Sequence, residues 1–244
     1  MPSYDEHNFS APVEVHSFSG LLFDMDGTVI DSTPAIVKHW YKIGKEIGVD
    51  PEVILASSHG RRTIEVLELY APRLATWDYV SRAEGIIPKE FGHDAVELPG
   101  SRALLDNLEK AGTPWTIVTS GTKPLVTGWF KVMGLPLPDH LVSAEQVRKG
   151  KPDPECYQLG AARLGLDGHA GDELLVVEDA PAGVMAGKAA GFKVVALATT
   201  HEIEKLRQAG ADWIVKDLAS VKFRAWVGKS KKVEVEICDA LVGA

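Results

Sequence analysis

Leu21-Leu22-Phe23-Asp24-Met25-Asp26-Gly27-Thr28-Val29-Ile30-Asp31 is the stretch on which the reading of the whole chain turns. An apolar run ends in two carboxylates one residue apart, and a glycine then turns the chain sharply. The run reads as a buried strand with its acids at the carboxyl end, the edge at which open parallel sheets bind ligands. Residues i and i+2 of a strand share a face, so Asp24 and Asp26 address the same small object. Carboxylates that close repel each other unless a cation or a shared proton compensates. The pattern fits a Mg²⁺-dependent acid and nucleophile pair. The alternatives are an ordinary Asp-x-Asp-Gly turn and a calcium loop. The third ligand position of such a loop is missing here, and hydrophobic residues precede the acids.

Downstream, Asp31-Ser32-Thr33-Pro34 gives a helix start, with Ser32 or Thr33 as cap and Pro34 at the first helical position. Ile36, Trp40, Ile43 and Ile47 recur at helical spacing, as do Ile64 and Leu67. Pro51, Pro72 and Pro88 punctuate this region into roughly four short helices. No strand alternates with them, so residues 32–97 read as a separate helical insertion. From residue 98 strands and helices alternate, with strands expected at Trp115–Thr119, His140–Ser143, Glu173–Glu178, Phe192–Leu197 and Ala211–Val215. That alternation implies an α/β fold with a parallel sheet and right-handed crossovers, assembled from residues 17–31 and 98–244. Residues 1–16 read as a loosely held leader, and Lys231–Ile237 as an edge strand.

Composition narrows the function. A formal charge of −8 over 244 residues disfavours a nucleic-acid partner, because phosphate-backbone binding needs a basic face. No window approaches a membrane span, and the polar, acidic N-terminus lacks the pattern of a secretory signal. Cys156 and Cys238 lie far apart without metal-type spacing, so free thiols in a reducing compartment are expected.

Three further strand ends carry polar groups. Val118-Thr119-Ser120-Gly121 offers a hydroxyl and free amides that can hold a phosphate oxygen, or simply cap a helix. Lys151 is locked between turn formers in Gly150-Lys151-Pro152-Asp153-Pro154, a context more rigid than a solvated loop lysine needs. Glu178-Asp179 ends an apolar strand, as a Mg²⁺ site requires, although acids also complement a helix N-terminus. Together and in this order, these stretches resemble the four motifs of the haloacid dehalogenase-like (HAD) phosphatases, from about Phe18 to Val215. The phrases Val177–Gly191 and Lys149–Tyr157 resemble one branch of small-molecule phosphatases in particular.

The resemblance implies a Rossmann-like core with an inserted helical cap of the C1 type. Asp24 would be the nucleophile that forms an aspartyl-phosphate, and Asp26 the acid and base. Asp24, the Asp26 carbonyl and Asp179 would hold Mg²⁺, with Glu178 as ligand or support. Thr119, Ser120 and Lys151 would spread the phosphoryl charge, and Thr28 would orient Asp26. In the cap, His59, Arg62 and Arg61 stand on a glycine-hinged turn, and Glu84 on a later helix, as candidates to read the leaving group. Ser-His-Gly-x-Arg-Thr and Glu-Gly-x-Ile-Pro look like the fungal glycerol-phosphate and 2-deoxyglucose-6-phosphate phosphatases. The expected activity is hydrolysis of a small polyol or sugar phosphate, glycerol phosphate first and a hexose phosphate as the alternative. A phosphosugar mutase is the enzymatic rival and a catalytically silent phospholigand sensor the non-enzymatic one. The absence of G-x-G-x-x-G and G-x-x-x-x-G-K-[ST] argues against dinucleotide and P-loop chemistry. A cytoplasmic monomer is the expectation for location and assembly.

Overall fold

The apolar runs that end in polar residues form one sheet. In the computed structural model, which describes residues 8–58, 60–168 and 173–243, the chain begins with β1 (Glu14–Phe18) and β2 (Gly20–Phe23). It then passes through β3 (Ile30–Asp31) into the helices α1 (Thr33–Ile47), α2 (Pro51–Ser58), α3 (Thr63–Tyr70) and α4 (Trp77–Phe91). Next come β4 (Val96–Glu97), α5 (Ser101–Lys110), β5 (Trp115–Val118), α6 (Lys123–Met133), β6 (Leu141–Val142) and α7 (Glu155–Arg163). The chain continues through β7 (Leu174–Glu178), α8 (Pro181–Ala189), β8 (Lys193–Leu197), α9 (Ile203–Gln208), β9 (Trp213–Val215), β10 (Val221–Val227) and β11 (Lys232–Ile237).

Six parallel strands run in the order β6-β5-β2-β7-β8-β9. β2 is central and fully buried, so its side chains supply both faces of the core: Leu21 and Phe23 pack on one side and Leu22 on the other. The order reverses between β5 and β7 on either side of β2, and such a switch leaves a crevice at the strands' carboxyl ends.

α1 to α4 carry a core of their own around Trp40, Ile54 and Leu67. The chain enters this helical unit at β3 and leaves it at β4, and those two strands pair antiparallel (Ile30 with Glu97, Asp31 with Val96). Pro88 does not punctuate the unit as expected but lies inside α4. Its ring costs one helical hydrogen bond and fills the space left by Gly128, where a Cβ would come within 2.7 Å of Pro88 Cγ. At the next contact Gly85 of α4 faces Pro124 of α6, so the unit rests on the core through two glycine–proline contacts.

The chain termini also depart from expectation. Glu14–Phe18, partly assigned to a loose leader, is a strand, and β11 is no edge but the centre of an antiparallel sheet ordered β1-β11-β10. Alternating Val233, Val235 and Ile237 of β11 are buried against the main core, which ties both ends of the described chain to it. Cys156 and Cys238 are free and buried. Among the described residues no helix is long and apolar enough to cross a membrane.

Candidate active site

Asp24 follows the last residue of β2, and its main-chain amide still donates to Val177 O at 2.9 Å, which holds it in line with the sheet. The chain then turns tightly, with Gly27 N donating to Ile30 O at 2.7 Å and Gly27 at φ 90°. A side chain at position 27 would be strained in that conformation and would place its Cβ 2.3 Å from Asp179 Oδ2. Glycine is therefore required for two strand ends to meet.

Lys151 crosses from its loop to the centre of the site. Its Nζ donates to Asp24 Oδ1 at 2.6 Å, Glu178 Oε1 at 2.6 Å and Val118 O at 3.2 Å. Glu178 also accepts from Tyr157 OH (2.8 Å) and from the amides of Asp179 (2.9 Å) and Ala180 (3.0 Å). These donors occupy the Glu178 oxygens, so its role in this geometry is to hold Lys151 and the turn after β7. Gly183 leaves room for it, since a Cβ there would lie 1.7 Å from Glu178 Oε1. Asp179 accepts from Thr28 Oγ1 at 3.2 Å and from Thr200 Oγ1. Thr28 thus orients Asp179 and not Asp26 as expected. Asp26 instead accepts from Ser32 Oγ at 2.5 Å, the hydroxyl expected to cap α1.

The electrostatics are those of a crowded acidic pocket. Oxygens of Asp24, Glu178 and Asp179 lie within 4.8 Å of one another, with Lys151 bridging two of them. Burial raises Asp24 well above the usual carboxyl range; Lys151 opposes this, while Glu178 and Asp179 add to it. Burial and the Glu178 charge push Asp179 up to about 7. Burial raises Asp26, against the Ser32 hydrogen bond. Burial pulls Lys151 down, but the Asp24 and Glu178 charges outweigh it, so the ammonium is held more tightly than usual. Three acids set against one ammonium leave excess negative charge in a low dielectric, and hard carboxylate oxygens are what a divalent cation such as Mg²⁺ takes. The donor set fits such an ion.

β5 ends in Val118, and Thr119 Oγ1 accepts from Gly121 N at 2.9 Å while Ser120 Oγ donates to Gly60 O of the helical unit at 3.1 Å. Glu84 of α4 reaches the same end of the sheet and accepts from Thr122 N at 2.7 Å. Burial pushes it up to about 7, against hydrogen bonds from Thr63 and Thr122. Asp24, Asp26, Thr119, Ser120, Lys151 and Glu84 share one cavity of about 130 Å³ between the sheet edge and the helical unit, with Glu178 and Asp179 also in its wall.

Arg62, expected to read the leaving group, does not line that cavity. Its guanidinium is buried and donates to Val147 O (2.9 Å), Ala144 O (3.3 Å) and Arg148 O (3.2 Å), and to Glu65 Oε1. Carbonyls need donors and this arginine supplies them, which joins the helical unit to the loop leading into Lys151. Exposed Arg61 lines the cavity instead. His59 lies outside the described residues. Thr200 and His201, which also line the cavity, were missed although they follow the buried strand β8 in the same way as the other polar strand ends.

A family model described as "Hydrolase: haloacid dehalogenase-like hydrolase" matches residues 18–191. The chain is 38% identical over 226 residues to glycerol-1-phosphate phosphohydrolase 1 of Saccharomyces cerevisiae, covering 90% of each chain. It is 43% identical over 192 residues to hexitol phosphatase A of Escherichia coli, covering 78% of this chain and 87% of that one. A crystal structure of a hydrolase from Pseudomonas syringae superposes with a TM-score of 0.68 at 25% identity, over 82% of this chain and 94% of that one.

Proposed function

The chain belongs to the haloacid dehalogenase-like hydrolases and is a phosphoric monoester hydrolase, and on that premise we propose that it cleaves a small polyol or sugar phosphate with Mg²⁺ through an aspartyl-phosphate on Asp24. One observation carries the reading: Asp24 and Asp26 stand at the end of the central strand, with Lys151 2.6 Å from Asp24 and two further buried acids behind them. The Asp24 and Asp179 carboxylates and the Asp26 carbonyl would hold the ion, which supplies positive charge to the phosphoryl oxygens when bound.

Asp24 attacks phosphorus as the bond to the leaving oxygen breaks. Asp26, whose carboxyl pKa is raised by burial above its ordinary value, gives its proton to the leaving alkoxide. Asp26 then takes a proton from the water that attacks the phosphorus of the acyl phosphate, and phosphate leaves with Asp24 restored. Lys151 holds Asp24 in place and balances charge on the transferring group. Thr119, Ser120 and the amides before α6 face the phosphoryl oxygens, and Glu84 and Arg61 face the leaving group. Helices α1 to α4 act as a cap over the site, clamped by Arg62 and excluding water.

The relatives support two sizes of leaving group, the three carbons of glycerol and the six of a hexitol. Phosphate release from glycerol 1-phosphate and from hexose and hexitol 6-phosphates, with Mg²⁺ and with chelator, tests the proposal. Metal-dependent release from either class supports it, and a folded protein that releases phosphate from none contradicts it.

A further inference from the structure

The cavity continues away from the carboxylates along α1, whose Ser32, Thr33, Ile36, Val37, His39 and Trp40 all line it. Ser32 is fixed to Asp26, so it marks where a leaving oxygen sits. At about 1.5 Å of rise per residue, His39 stands about 10 Å further along the helix. Between them α1 lines the cavity with Thr33, Ile36 and Val37, of which the last two cannot bond a hydroxyl, and in such pockets a few polar groups set orientation.

His39 is one such group and it lacks a partner. The residue is 5% exposed and its Nε2 has no hydrogen-bond partner. The nearby charges do not satisfy it, because Lys42 and Glu90 pair with each other at 2.9 Å. Burial, helped by Lys42, pushes its pKa down to about 4, so the ring is neutral and offers one donor and one acceptor. A buried polar atom without a partner calls for an explanation, and a ligand hydroxyl supplies one. Rotation about χ2 lies in a broad, roughly two-fold well, so the ring can present either nitrogen.

Length decides which ligand reaches it. With bonds of about 1.5 Å and tetrahedral angles, an extended chain advances about 1.25 Å per bond. The four bonds from the leaving oxygen of glycerol phosphate to its far hydroxyl therefore span at most about 5 Å, and the seven of a hexitol phosphate about 9 Å. Only the longer comes within a hydrogen bond of about 3 Å of His39. We infer that His39 is a specificity-determining residue that binds the far hydroxyl of a six-carbon leaving group. This rests on the hydrolysis of polyol or sugar phosphates proposed above and selects the longer substrates within that class.

The test is the ratio of kcat/KM for glucitol 6-phosphate to that for glycerol 1-phosphate, in wild type, His39→Leu and His39→Asn. A ratio is independent of how much enzyme is folded. The expected result is a fall of about tenfold in His39→Leu, the worth of one hydrogen bond, with part of it restored in His39→Asn. Both esters hydrolysed with an unchanged ratio in His39→Leu would overturn the inference and leave the proposed function standing. A folded wild type that hydrolyses neither overturns the proposed function and the inference with it.

Discussion

Glu84 shows how much one residue contributes here. It belongs to α4 yet sits on the Thr122 amide at the start of α6, and its pKa of about 7 is far above the ordinary 4.5. A carboxyl raised in the folded state binds a proton that the unfolded chain has already lost. Stability is therefore greatest below about pH 4.5 in this respect and falls as pH rises towards about 7. Glu84→Gln removes that dependence. Denaturant unfolding at about pH 8, without divalent ions, should show the variant more stable, by up to about 3 kcal/mol less the value of the hydrogen bonds it weakens. No gain in the variant would mean that Glu84 is charged without cost. The core acids Asp24, Asp26 and Asp179 were legible from sequence because a strand end is a local pattern. The partner of Thr28 was not, since Asp179 is 151 residues away and both acids are plausible acceptors. Arg62 was misread for a related reason: an arginine in a glycine-hinged turn looks exposed until the carbonyls that bury it are in place.

At the scale of elements, the close approach of α4 and α6 sets where Glu84 stands. Gly128 permits it, and Gly128→Ala would put a Cβ 2.7 Å from Pro88 Cγ. Alanine gains about 0.5–1 kcal/mol of helix propensity, but overpacking a rigid ring costs about 1–3 kcal/mol. The expected outcome is a net loss of stability and a lower kcat/KM as α4 is forced away, read by thermal unfolding and steady-state kinetics; a more stable variant would contradict the packing. Helix and strand alternation was legible over most of the sheet because each buried strand is a continuous apolar run. β10 escaped notice because its register shifts between Phe223 and Ala225, which breaks the period of two that marks a half-buried strand. β11 kept its period and was found, but sequence alone did not reveal that strands flank it on both sides.

For the whole molecule, the parallel sheet and the helical unit converge on a site that holds more negative charge than its own lysine balances. Asp179, at about 7, is protonated in part at neutral pH until a cation replaces the proton. Mg²⁺ should therefore raise the unfolding temperature, and more so at about pH 8 than at about pH 5, because at the lower pH the ion competes with bound protons. An equal shift at both would argue against binding at these acids. The central claim is that Asp24 carries the phosphoryl group, and the most direct measurement is phosphate release by Asp24→Asn in Mg²⁺ beside an unfolding curve. The account predicts a folded variant whose turnover is lower by at least about 10³-fold. A folded variant that turns over at the wild-type rate would contradict it.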